Sequence, residues 1–262
     1  MMRGWLELVA ACLLAFLEAV GSLPLAIVIS LGSALGHRTA LLRWQDRLIS
    51  AWARRVVARL GCRVQVEGLE HMPTRGPVVI MSNHQSYFDI PICLGHLGRV
   101  MGFVAKRELM WIPLLGYWMR RIHCVGMNRA NVAASGELLA ELSQTIREQE
   151  LCYLIFPEGT RTRDPRGKIG PFRRGSLWLA QAQEIPVVPL SLDGSRFLTR
   201  PAALAATPRG QRLVRVRLAP MRLPARDLSS LDRKRFMEDM RQTILSNHEA
   251  IRVNWLVSPP HS

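Results

Sequence analysis

Two residues that could act together on a proton stand at the end of an apolar run. In PVVIMSNHQSYFD (Pro77 to Asp89), His84 and Asp89 are five apart, directly after a hydrophobic stretch. A carboxylate that accepts the Nδ1 proton of an imidazole fixes its tautomer and leaves Nε2 free to take a proton from a hydroxyl. The chain has seven His and seven Asp, so this spacing arises about 0.2 times by chance and is weak by itself. Five residues along a helix turn the side-chain direction by about 140°, so the pair can meet only if the chain bends between them. Pro91 predicts that bend, because proline is tolerated in the first helical turn and places the helix start near Phe88 or Asp89. His84 then falls in a strand-to-helix loop, where open parallel sheets bind ligands. A competing reading makes Asp89 a cap of its own helix, or Ser86 the cap of a capping box. Geometry alone leaves capping and catalysis both open.

Other chemistry-bearing groups also sit at strand ends. In FPEGTRTR (Phe156 to Arg163), Gly159 predicts a turn with exposed backbone N–H groups, and Arg161 offers a planar fork suited to phosphate. Glu158 is expected to anchor this loop by pairing with a nearby cation. GFVAKRELMWIPLLG (Gly102 to Gly116) joins Lys106 to an apolar segment, a combination suited to a ligand with a charged head and a hydrocarbon tail. Core packing is the expected role of each apolar residue there taken singly. In IPVVPLSL (Ile185 to Leu192), Pro189 predicts an edge strand or a bulge bordering a groove.

The elements that must position these groups alternate. Strands are expected at 62–67, 77–82, 100–105, 122–126, 151–156, 185–192 and 213–218, and helices at 90–97, 112–121, 132–149, 174–183 and 228–251. Runs such as PVVIM and LCYLIF are apolar throughout, as in parallel strands covered on both faces. The fold class is therefore α/β, with a mostly parallel sheet of about seven strands flanked by helices. The stretch from Arg200 to Arg209 reads as a loop.

Residues 1–60 form a separate unit, ahead of an α/β domain at 61–262. Between Gly4 and Gly36 the only charges are Glu7 and Glu18. GSLP (Gly21 to Pro24) is expected to break this segment into two pieces, each short for crossing a bilayer alone, so a hairpin dipping into one leaflet and one tilted span both fit. Ala34-Leu35-Gly36 loosely matches a signal cleavage site, but the arginines crowd its far side, which predicts retention on the cytoplasmic side. The helical pattern from Thr39 to Leu60 suits either a membrane surface or packing on the domain.

A net charge of +15 implies anionic company: nucleic acid, a membrane surface or phosphorylated small molecules. Nucleic acid is disfavoured, because the arginines are scattered and the aromatics few. Five cysteines, none in a C-x-x-C pair, read as free, buried thiols rather than as a metal site or disulfides.

The four blocks NHQSYFD, GFVAKREL, FPEGTRTR and IPVVPLSL, in that order, resemble the glycerolipid acyltransferase family, most closely bacterial 1-acyl-sn-glycerol-3-phosphate acyltransferases. The resemblance implies transfer of a fatty acyl group from acyl-CoA or acyl carrier protein to the sn-2 hydroxyl of lysophosphatidic acid, giving phosphatidic acid. Another lysolipid, such as a lyso-ornithine lipid, is the alternative acceptor. It further implies His84 as general base and Asp89 as its orienting partner. Lys106, Glu158, Gly159 and Arg161 match the acceptor-phosphate blocks, and Val188 and Pro189 the block linked to the acyl donor. No metal or prosthetic group is expected. The partners implied are the lysolipid, the acyl donor and membrane lipids, and the implied location is the inner (cytoplasmic) membrane with the site facing the cytoplasm.

Overall fold

A computed structural model describes residues 1–32, 38–127, 132–162, 164 and 167–253. Three N-terminal helices, α1 (Met2–Gly21), α2 (Leu23–Gly32) and α3 (Arg38–Arg59), precede the sheet. The strands are β1 (Cys62–Glu67), β2 (Val78–Ser82), β3 (Gly102–Lys106), β4 (Val125–Met127), β5 (Cys152–Ile155), β6 (Val187–Asp193) and β7 (Arg212–Leu218). Between them lie α4 (Asp89–His96), α5 (Pro113–Arg121), α6 (Val132–Glu148), α7 (Trp178–Gln181) and α8 (Pro201–Ala206), and α9 (Ser230–Ala250) closes the order.

The seven strands form one sheet in the order β1-β7-β6-β2-β5-β3-β4, with every pair parallel except β6 with β7. Residues of β2 alternate between two cores. Val78 and Ile80 join α3, α4 and α8 on one face, and Val79 and Met81 join α6, α7 and α9 on the other. That explains why β2, β5 and β6 are buried throughout, whereas at one margin β7 alternates buried and half-exposed positions and β1 sets an exposed residue at every second position. Fully burying one Ile or Leu in such a layer contributes about 1.5–3 kcal/mol.

Three expectations change and one open choice closes. Pro189 lies on β6, which β7 and β2 flank, so it is not on an edge. The bulge half of the expectation holds: from the Val187–Arg222 bridge to the Leu190–Leu218 pair, three steps on β6 oppose four on the other chain. The Pro189 carbonyl accepts the Ala219 N–H at that point, at 2.9 Å. The Arg200–Arg209 stretch holds a helix, α8, opened by Pro201 at its first position. Ile49, Ala53, Val56 and Val57 of α3 are buried in the core, so this helix packs on the domain. The expected helix at 174–183 is a 3₁₀ turn (Arg174–Leu177) running into the short α7.

The break at Ser22 is present, but α1 begins at Met2 and its 20 residues are long and apolar enough to cross a membrane. Its two carboxylates face the domain: Glu18 pairs with Arg55 and Arg59, and Glu7 with the buried Arg212 at 2.6 Å. The opposite face exposes Trp5, Leu6, Val9, Leu13, Phe16 and Leu17 at helical spacing. Ala34-Leu35-Gly36 lies outside the described residues. Cys62, Cys93, Cys124 and Cys152 are buried free thiols, whereas Cys12 is exposed on α1.

The helix α1 approaches α8 so closely that a Cβ on Gly4 would sit 1.9 Å from the Pro201 carbonyl oxygen. Gly4→Val is expected to force the two apart and to cost about 1–3 kcal/mol, the usual penalty of overpacking. Urea unfolding of the detergent-solubilised protein measures this, and an unchanged midpoint would contradict the docked position of α1.

Candidate active site

The crevice follows from the topology. After β2 the chain turns to α4 on one face of the sheet, and after the adjacent β5 it turns to α7 on the other. Adjacent parallel strands whose connections part in this way leave an opening at their carboxyl ends. His84 stands there.

The end of β2 is tied to β6 by Asn83, whose amide donates to the Leu192 carbonyl (2.8 Å) and accepts the Leu192 N–H (2.9 Å). Beyond it the loop folds around a fully buried carboxylate. Oδ2 of Asp89 accepts the backbone N–H groups of Gln85 (2.7 Å) and Ser86 (3.0 Å) and meets Nδ1 of His84 at 2.6 Å. Ser195, just after β6, donates its hydroxyl to Oδ1. With two amides already donating to it, Oδ2 is an acceptor, so Nδ1 carries the proton and Nε2 the lone pair. Among the described residues Nε2 has no partner, and the ring stacks on Phe156 at 3.9 Å and 14°. The helix starts at Asp89 as expected, and its carboxylate points back into the loop, where it accepts the Ser86 N–H while the Ser86 hydroxyl accepts the Phe88 N–H at 3.1 Å. The same carboxylate thus fixes the turn into the helix and holds the imidazole.

Among the described residues Glu158 pairs with no cation. Its Oε1 accepts the His84 N–H and its Oε2 the Gly170 N–H, both at 2.8 Å, so one carboxylate ties the His84 loop to the next. Burial raises its pKa, and the two N–H donors oppose that rise. The N–H of Gly159 closes its own turn onto the Phe156 carbonyl (2.9 Å), so it is not an exposed donor. Its φ of +69° suits glycine, and a Cβ would meet Arg173 at 2.6 Å. Arg161 donates to the Tyr87 hydroxyl (2.8 Å) and lies over the Tyr87 ring. Arg163 lies outside the described residues.

The structure thus brings His84, Asp89, Glu158, Gly159 and Arg161 together. Lys106 stands on the same edge but beyond β5, paired with Glu108 at 3.1 Å. Val188 and Pro189 are buried in the central strand and reach no surface, contrary to a direct role at a donor site. They carry the chain to Ser195 instead. The segment after Lys106 is not core, since Trp111 is 73% exposed and Leu109, Ile112 and Leu115 are exposed as well.

Asn83, Phe156 and Ser195 escaped the sequence reading. All three lie at carboxyl ends of parallel strands, the criterion that singled out His84. A second buried cluster, also missed, adjoins the loop. Asp193 accepts from Gln85 (2.8 Å), Arg196, His248 (3.2 Å) and the Val253 N–H (2.7 Å). Burial by itself would raise the Asp193 pKa, but these donors and the Arg196 charge hold it well below the usual carboxylate range.

A family profile described as Acyltransferase matches residues 63–193, half of the chain, and the chain belongs to that family. It is 35% identical over 150 residues to a 1-acyl-sn-glycerol-3-phosphate acyltransferase of Limnanthes douglasii, covering 56% of this chain and 51% of that protein. To 1-acyl-sn-glycerol-3-phosphate acyltransferase alpha of Homo sapiens it is 36% identical over 138 residues, 51% of this chain and 46% of the other. The chain thus spans about half the length of the curated relatives it matches. Among solved structures, the 1-acyl-sn-glycerophosphate (LPA) acyltransferase PlsC from Thermotoga maritima shares the fold, with a TM-score of 0.76, 23% identity and coverage of 97% of this chain and 99% of that one.

Because the Asp193 pKa is depressed on folding, its contribution to stability is present above the unfolded carboxylate value and is lost as pH falls through that range toward the folded value. Asp193→Asn is expected to flatten the loss of stability below about pH 4. Denaturant midpoints measured from pH 6 downward test this, and parallel slopes for the two proteins would refute it.

Proposed function

We propose that this chain is a 1-acyl-sn-glycerol-3-phosphate acyltransferase, moving a fatty acyl group from a thioester, acyl-CoA or acyl carrier protein, to the sn-2 hydroxyl of lysophosphatidic acid. One observation carries the reading: an imidazole held by a buried carboxylate, with Nε2 unengaged among the described residues, beside a loop that presents Arg161. The family and the names of its relatives support it.

In this mechanism Nε2 of His84 accepts the proton of the acceptor hydroxyl as its oxygen attacks the thioester carbonyl. The tetrahedral intermediate collapses, the carbon–sulfur bond breaks, and the imidazolium returns the proton to the departing thiolate. Asp89 stabilises that imidazolium and keeps the ring in register. No metal or prosthetic group is needed. Arg161 takes the acceptor phosphate, with Lys106 as a further cation along the same edge. The exposed apolar segment after Lys106 suits the hydrocarbon part of such a substrate.

The same reading places the protein on the cytoplasmic face of the inner membrane. The apolar face of α1 points away from the domain while its carboxylates are held by domain arginines, which favours a helix lying along one leaflet. The arginine-rich α3 beyond it fits the cytoplasmic side.

His84→Ala is expected to lower turnover by about 10²–10⁴ or more, the scale of general acid–base catalysis, with an unchanged circular dichroism spectrum. Near-normal turnover would remove His84 from the mechanism. In a panel of lysolipids presented in detergent, lysophosphatidic acid is expected to be the preferred acceptor. Preference for one without phosphate, such as a lyso-ornithine lipid, would overturn the acceptor and the role of Arg161 together.

A further inference from the structure

Beside the His84 loop lies a cavity of about 250 Å³. Its walls carry three guanidinium groups, Arg161, Arg196 and Arg200, and three hydroxyls, from Thr160, Thr162 and Thr199. Gln85 and a single carboxylate, Asp164, complete it. Arg196 and Arg200 come from the segment after β6 and lie outside all four sequence blocks.

The cations here are underused. Arg161 and Arg200 have no carboxylate partner among the described residues; the first rests on Tyr87, and the second lies 6.0 Å from the Phe197 ring centre. Arg196 is 6% exposed, and its Nη1 holds Asp193 and reaches Gln85 at 3.5 Å. Its Nε is buried with no partner among the described residues. Burial and the neighbouring Arg200 and Arg252 charges work against its protonated form, with Asp193 opposing them. A dianion in the cavity would relieve that imbalance. Thr162 already donates its hydroxyl to the Lys168 carbonyl (2.8 Å) and Thr199 to the Arg196 carbonyl (3.1 Å), so the match rests on the cations: three planar guanidinium groups around a small polar volume fit a phosphate monoester and not a hydrocarbon chain.

The cavity also shares its wall with the catalytic loop. Gln85 follows His84 directly, and the Thr162 N–H donates to the His84 carbonyl at 2.8 Å. Lys106 lies across β5, on the far side of β2 from the segment that supplies Arg196 and Arg200.

We propose that this cavity seats the phosphate monoester of the acyl acceptor, and that Arg196 and Arg200 determine specificity for it together with Arg161. The inference rests on the phosphate-bearing acceptor proposed above and adds the residues that select it.

The test uses the full chain in detergent. Arg200→Gln is the principal variant because Arg200 is only partly buried, and Arg196→Lys keeps a charge for Asp193 while removing the fork. Each is expected to raise the KM for lysophosphatidic acid by about 10- to 100-fold, the loss of one or two hydrogen bonds to a charged group. The kcat should stay within about threefold, the KM for acyl-CoA should not move, and the rise in Tm on adding glycerol 3-phosphate, compared with glycerol, should disappear. An unchanged acceptor KM in Arg200→Gln, or a rise confined to the KM for acyl-CoA, overturns the assignment while leaving the acyltransferase reading intact. Conversely, a wild-type protein that ignores lysophosphatidic acid, yet is stabilised by glycerol 3-phosphate through Arg200, would sustain the phosphate seat and defeat the proposed acceptor.

Discussion

Everything at the crevice depends on one buried carboxylate. Asp89 gathers an imidazole N–H, two backbone N–H groups and a serine hydroxyl, so that no solvent is needed to satisfy it. An ionised carboxylate is expensive to bury and persists only where donors surround it. Here the donors come from the loop after β2 and the turn after β6, so charge burial and loop conformation are one problem with one solution. The imidazole is held in one tautomer as a consequence.

A second carboxylate does a similar job for the neighbouring loop. Glu158 spends both oxygens on backbone N–H groups, one that of His84 and the other that of Gly170, beyond the Gly159 turn. A residue type that reads as a ligand in sequence is here a strut between two loops. Asp193 repeats the pattern on the other side of β2, tying Gln85 to α9 and to Val253. Three buried acids bracket the loop and hold it by hydrogen bonds. Such hydrogen bonds hold the imidazole in place before any ligand arrives.

The polar cavity and an exposed apolar surface lie on one edge of the sheet. The cationic cavity lies beside β2 towards β6, while exposed Trp111 and its neighbours follow β3 on the same edge of the sheet. The α1 helix adds a continuous apolar face, held to the domain by Glu7 and Glu18. Its amphipathicity is inverted relative to a soluble helix, with charge inward and hydrocarbon outward.

All seven strands, most of the helices and the H-x4-D pair were legible in the sequence, because unbroken apolar runs and Pro91 are local signals. So was the break at Ser22, though not the full length of α1. What remained closed needed distance information. That Asp89 serves both its own turn and His84 was closed to sequence, as was Ser195, more than a hundred residues away, which completes its donors. Glu158 could be expected to anchor, but its partners are backbone groups that no residue type announces. Pro189 signalled a bulge, yet strand order put it in the sheet's interior and buried Val188 beside it. The sequence by itself determined which chemistry is present and which elements bear it. Tertiary structure alone decided which groups converge, because parallel strands distant in the chain end at one edge, and only there do their loops share hydrogen bonds.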